Sequence, residues 1–148
     1  MSEAVSDQRA STRPIGWWLK EADSRLDAAF DSALGGTEVD RRSWQVLASL
    51  SRGSMRRAEL VTALASFDPP AVVEEVVARL SSRGWIEESA DVVLLTQAGA
   101  EQHERLAPRV HSVRQQVAAA LPRDEYVALI GLLSRLVTAL PSRPELSR

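Results

Sequence analysis

Apolar residues recur along the chain with two periods, and the places where the period changes divide it into elements. From Pro14 onward, Ile15, Trp18, Leu19, Ala22, Leu26, Ala29, Phe30 and Ala33 fall at the i, i+3, i+4, i+7 spacing of an amphipathic helix. Pro14 suits the first helical position and Gly35-Gly36 supplies a stop, so the spacing predicts a first helix of about five turns over 14–34. Asp40 suits the N-cap of a second helix, with Val39 and Trp44 spaced as a hydrophobic staple. Its inward face is expected to hold Trp44, Leu47, Ala48 and Ser51 before Gly53 ends it. Ser54 is the expected cap of a short third helix with Leu60, Ala63 and Leu64 turned inward and Arg56 and Arg57 in its first turn. Only Ser66-Phe67-Asp68 precede a fourth helix, where Asp68 as N-cap and Pro69 at the first helical position predict a tight corner between the two. Val73, Val76, Val77 and Leu80 make its inward stripe, which leaves Ala71, Val72, Glu74, Glu75, Ala78 and Arg79 outside, and Gly84 stands where a left-handed stop is needed.

Beyond Gly84 the residue types become those of strands. Trp85-Ile86-Glu87-Glu88 and Val92-Val93-Leu94-Leu95 read as a hairpin joined by Ser89-Ala90-Asp91. Thr96 caps a fifth helix, along which His103, Leu106, Val110, Val113, Val117 and Ala120 alternate steps of three and four, close to the 3.5-residue seam that meets a partner helix. Pro108 inside it removes the bond to the Glu104 carbonyl and predicts a kink. Pro122 opens a sixth helix with a wide stripe of Tyr126, Leu129, Ile130, Leu133, Leu136, Val137 and Leu140, ended by Pro141 and Pro144. The fold class is therefore mainly α with a small β-hairpin. A winged helix-turn-helix is expected over 37–96, flanked by helical segments over 14–34 and 97–140 whose apolar stripes suit a dimerisation region. Residues 1–13 and 141–148 carry too little apolar surface to order themselves and are expected to be loose tails.

That element order makes DNA the first partner to consider, and the charges decide where it would be held. A net charge of −2 gives no global attraction to a polyanion, so any contact must come from a local patch. Such a patch exists: between Asp40 and Glu59 every charged residue is an arginine, at Arg41, Arg42, Arg52, Arg56 and Arg57. These arginines, with Ser54 among them, lie before the fourth helix, where phosphate contacts would set register without reading sequence. For any one of them solvated surface charge is an equal reading; as a set they favour DNA. The candidate DNA-binding set is completed by the outward residues Ala71, Val72, Glu74, Glu75, Ala78 and Arg79. Glu74 and Glu75 read either as solubilising residues or as acceptors for cytosine amino groups.

Other chemistries find little support. The chain has no cysteine, which excludes disulfides, thiolate metal sites and thiol redox sensing. Adjacent acids such as Glu74/Glu75 on a helix or Glu87/Glu88 on a strand diverge and do not converge on a substrate, so no catalytic residue and no enzyme is expected. His103 and His111 are about two helical turns apart and cannot share a metal within their helix, and neither metal nor cofactor is expected. Trp18 and Trp44 fall on inward stripes as core residues, and Trp85 is placed to anchor the hairpin. No apolar run approaches the roughly 18 residues of a membrane span, and no secretory signal is evident, so a cytoplasmic protein without membrane contact is expected.

Over residues 14–140 the chain resembles the MarR family of winged helix-turn-helix transcriptional regulators. The resemblance rests on Arg42-Ser43-Trp44-Gln45-Val46-Leu47, Arg57-Ala58-Glu59-Leu60, Arg79-Leu80-Ser81-Ser82-Arg83-Gly84-Trp85-Ile86-Glu87 and Leu95-Thr96-Gln97-Ala98-Gly99, between a long first helix and two closing helices. It implies a homodimer in which the first, fifth and sixth helices interlock, with Ile15, Trp18, Leu19, Val110, Val113, Val117, Leu129, Leu133 and Leu136 at the interface. It also implies a fourth helix in the major groove of a palindromic double-stranded operator, action as a repressor, and a small aromatic or hydrophobic effector, for which Trp17, Trp44 and His103 are the candidate lining. Two features depart from the family. Its wing usually carries an arginine that reaches the minor groove, whereas none follows Asp91 here, and the fourth helix presents two acids. Both departures place most of any DNA affinity in Arg52, Arg56 and Arg57. They also motivate an alternative, a winged-helix dimer without specific DNA binding that serves as a partner-protein or ligand-binding module.

Overall fold

The computed structural model describes residues 12–142. The expected loose tails fall almost wholly outside these residues, Pro144 included. Among the described residues lie six helices and three short strands in the order α1 (Ile15–Ala33), α2 (Arg41–Ser51), β1 (Met55–Arg56), α3 (Arg57–Ala63), α4 (Pro70–Ser82), β2 (Ile86–Ser89), β3 (Val92–Leu95), α5 (Gln97–Ala120) and α6 (Arg123–Ala139). The chain divides after Val113 into two compact units.

The first unit is built on one apolar core. Leu47 of α2, Leu60 of α3, Leu80 of α4 and Val93 of β3 are all fully buried, and Val73, Val76 and Val77 join them as the inward stripe of α4. Burying each such side chain is worth about 1.5–3 kcal/mol. Asp40 caps α2 as expected, its Oδ1 accepting from the Ser43 N–H at 2.8 Å, with Val39 and Trp44 both buried beside it. α2 buries a wider face than its periodicity suggested: Ser43, Val46 and Leu50 are inside, while Ser51 is exposed. Ala63, expected inside, is also exposed, because α3 ends there and Leu64 becomes its C-cap.

Two caps differ from expectation. Ser54 does not start α3. Met55 and Arg56 instead pair with Val93 and Val92 as an edge strand, giving a three-stranded antiparallel sheet of order β1-β3-β2, and Arg56 is the N-cap. A strand of two residues is too short to show a period. Nor does Asp68 cap α4. The residue before a proline is driven into extended backbone, so Pro69 (ψ 159°) becomes the N-cap and Pro70 the first helical residue. Asp68, 9% exposed, accepts instead from Arg42 Nε at 2.9 Å.

The hairpin turn is shorter by one residue than expected, since Ser89 pairs with Val92 and leaves only Ala90 and Asp91 between the strands. Both have positive φ, 50° and 65°, as a primed two-residue turn demands. At the base of the hairpin, Thr96 Oγ1 donates to the Gly84 carbonyl at 2.5 Å and accepts from the Gly99 N–H at 3.1 Å, while the Thr96 N–H donates to the Trp85 carbonyl at 3.0 Å. Gly84 has the left-handed φ of 75°, and Trp85 is buried as the hairpin anchor.

α5 runs through Pro108 without interruption. Leu106, Val110 and Val113 are buried in their own chain, the latter two at 1% and 2% exposure, which removes Val110 and Val113 from the set expected to face a partner. Trp18, expected as core, is 44% exposed on α1, next to Ile15 at 59% and Leu19 at 42%. Val117, Leu133 and Leu136 are half-buried and Leu129 is exposed. Neither α1 nor α6 has a single buried residue.

Candidate nucleic-acid interface

α4 turns its buried stripe to the core and presents Ala71, Glu74, Glu75, Ala78 and Arg79 outward, with Val72 half-buried. The arginines expected around it are mostly engaged within the chain. Arg41 is turned against α1, where it bonds Asp27, approaches Asp23 at 3.9 Å and stands over the Phe30 ring at 4.9 Å, so little of it remains for DNA. Arg42 holds Asp68 but keeps more than half of its side chain exposed. Arg57 ties α3 to the hairpin, its Nη2 donating to Glu88 at 2.9 Å and its backbone N–H to the Asp91 carbonyl at 2.8 Å. Arg79, the one cation expected on the outer face of α4, folds back onto α2: Nη2 donates to Ser43 Oγ at 3.1 Å and to Asp40 Oδ2 at 3.4 Å. Arg52 and Arg56 are exposed and make no ion pair or side-chain hydrogen bond among the described residues. Ser54 is exposed between them.

Asp40 is the hub of this arrangement. Partial burial pushes its carboxyl pKa up, but hydrogen bonds from the Ser43 backbone and hydroxyl, with the charges of Arg79 and Arg42, outweigh burial and hold it below the usual carboxylate value. A groove runs between the start of α3, the hairpin turn and α4, bordered by Arg56, Arg57, Asp91 and Glu74. The turn itself carries no cation, as its sequence Ala90-Asp91 requires.

Of the expected effector lining, two members meet and one does not. The Trp44 and His103 rings stack at 4.8 Å and 6°, with Trp44 buried, whereas Trp17 packs edge-on against Trp18 at 4.7 Å and lies under Arg13 at 3.9 Å. A cleft that the sequence pattern did not single out lies instead between α1, α2 and the corner before α4, bordered by Asp23, Asp27, Asp31, Arg41, Phe67 and Asp68. Its signal was present in the spacing of Asp23, Asp27 and Asp31, four residues apart and so on one helix face.

No family profile and no curated protein sequence matches the chain. Solved structures do. A probable transcriptional regulator from Pseudomonas aeruginosa is 30% identical over 84% of this chain and 98% of its own, with a TM-score of 0.73. BpsR from Bordetella bronchiseptica, whose DNA binding is regulated by 6-hydroxynicotinic acid, is 25% identical over 86% of this chain and 96% of its own, with a TM-score of 0.74. The reduced form of MarR from E. coli is 26% identical over 87% and 95%, with a TM-score of 0.68.

Proposed function

Because the chain belongs to the MarR family of winged helix-turn-helix transcriptional regulators, we propose that it is a DNA-binding regulator that acts in the cytoplasm as a homodimeric repressor. The observation that carries this reading is the outer face of α4, raised on a buried stripe and bordering a groove shared with the unengaged Arg56, with Arg52 a second exposed and unengaged cation. Dimerisation is supported by the apolar surface left uncovered on α1 and α6, at Ile15, Trp18, Leu19, Ile130 and Leu132. No helix among the described residues is long and apolar enough to cross a membrane. Two α4 helices related by a two-fold axis would meet palindromic half-sites about one helical turn apart. A small aromatic or hydrophobic effector would act by binding one spacing of those helices better than another.

Gel shift of the full chain on its own upstream region tests the reading. Specific retardation at physiological salt is the expected result. Each arginine–phosphate contact contributes about 0.9 to the slope of log K against log salt. Arg52→Ala with Arg56→Ala, two contacts per subunit, should therefore flatten the slope by about 3–4 units in a dimer. An unchanged slope removes the phosphate assignment. Failure to bind at any salt would establish the module without DNA binding instead. Light scattering that returns a mass near 16.2 kDa at micromolar concentration would refute the dimer.

A further inference from the structure

The two acids on α4 are not equivalent. With about 100° of turn per residue, the direction opposite the buried Val73, Val76, Val77 and Leu80 is centred on Ala71, Glu75 and Ala78. Glu75 therefore stands at the outward pole of the helix, one turn from an alanine on either side, so that its carboxylate rises above a low-relief surface. Glu74 lies to one side, on the groove it borders together with Arg56 and Arg57. Glu75 is exposed and has no hydrogen bond or ion pair among the described residues. The nearest competitor for a base edge, Arg79, is drawn away onto Asp40 and Ser43. The hairpin turn offers no cation for the minor groove.

Resting on the proposed DNA-binding function, we infer that Glu75 is the specificity-determining residue of the interface and reads a cytosine in each operator half-site by accepting a hydrogen bond from its N4 amino group. The major-groove edge explains why. Cytosine presents an amino donor there, and a carboxylate is the acceptor that matches it, whereas guanine O6 and N7 and thymine O4 are acceptors that repel it. The alanines flanking Glu75 offer no polar group to compete, and their methyl groups suit contact with a thymine methyl. Phosphate attraction would come from Arg52 and Arg56, so reading and holding are done by different elements.

Selection from a random duplex library with the full chain tests this. Wild type should enrich sites with a cytosine at one symmetric position in each half, and replacing that C·G pair in a selected duplex should weaken binding by about tenfold or more. With Glu75→Ala the same replacement should change affinity by less than about twofold while the salt slope stays as in wild type, because no phosphate contact is lost. With Glu75→Gln the enriched base should move toward adenine, which an amide reads through N6 and N7. Glu74→Ala should leave the cytosine column in place. If Glu75→Ala selects the same cytosine, or binds all duplexes equally more tightly, Glu75 only repels phosphate and the inference falls while DNA binding stands. If wild type enriches no site at all, the DNA-binding function itself falls.

Discussion

The core of the winged region and the apolar stripes of α1 and α6 are made from the same kinds of residue, yet they are buried to opposite extents. Leu47, Leu60, Leu80 and Val93 are at 0% exposure, while Leu132 is at 53%, Ile130 at 46% and Val137 at 74%. Large apolar side chains left this exposed, on α1 and separately on α6, mark faces that another surface covers. The difference separates two sources of stability. The winged region draws on contacts within one chain, and α1 and α6, under the proposed dimer, draw on contacts between chains, so the first is independent of concentration and the second is not.

The same substitution in the two regions is the strongest way to break that comparison. Leu80→Ala leaves a cavity in a close-packed core and is expected to cost about 2–5 kcal/mol in urea unfolding. Leu132→Ala should change the stability of the single chain by less than about 0.5 kcal/mol and show itself as a lower Tm at high protein concentration that converges with wild type on dilution. Equal losses at both positions, independent of concentration, would mean that α6 is covered by its own chain.

Glycines sharpen it next, because here the expected effects have opposite signs. A Cβ on Gly99 would lie 1.9 Å from the Trp85 carbonyl oxygen, which is backbone and held by the Thr96 N–H, so neither side can yield cheaply. Gly99→Ala should destabilise by about 1–3 kcal/mol or more. On α6, a Cβ added at Gly131 would meet nothing within 4 Å, and Gly131→Ala should raise the helix stability of the single chain by about 0.5–1 kcal/mol. Thermal unfolding of the two variants side by side reads both, and a drop in dimer mass for Gly131→Ala would show close helix approach at that point.

Gly99 also shows which parts of the fold could be read in advance. The string Leu95-Thr96-Gln97-Ala98-Gly99 that carries the family resemblance is a packing device: the threonine bonds across the base of the hairpin and the glycine admits the Trp85 carbonyl. Stripes such as Val73, Val76, Val77 and Leu80 were legible because burial follows local period. The start of α4 was not, because two consecutive prolines shift a cap by one residue through backbone sterics that a search for Asp or Ser overlooks. Least legible was the state of the arginines. Arg79 meets Asp40 across 39 positions of sequence and Arg57 meets Glu88 across 31, and no local pattern encodes such pairs. A patch of five cations in the sequence thus becomes two unengaged ones in the fold.

A pH-dependent effect sharpens the comparison last, at the joint between core and interface. Asp40 caps α2 and restrains Arg79, and its pKa is depressed in the folded chain because the Ser43 hydrogen bonds and the charges of Arg79 and Arg42 outweigh burial. A carboxyl whose folded pKa lies below its unfolded value adds stability above the unfolded value near 3.8, and that increment is lost as pH falls through the folded pKa. Asp40→Asn keeps a side chain that caps helices well but cannot titrate. Its stability deficit relative to wild type should therefore be present at neutral pH and shrink on acidification below about pH 4. Asp40→Ala should add the loss of the cap, about 1 kcal/mol, at every pH. Urea unfolding at pH 7 and pH 3 measures both variants, and a deficit for Asp40→Asn that grows toward acid would reverse the sign derived from the Ser43 and Arg79 contacts.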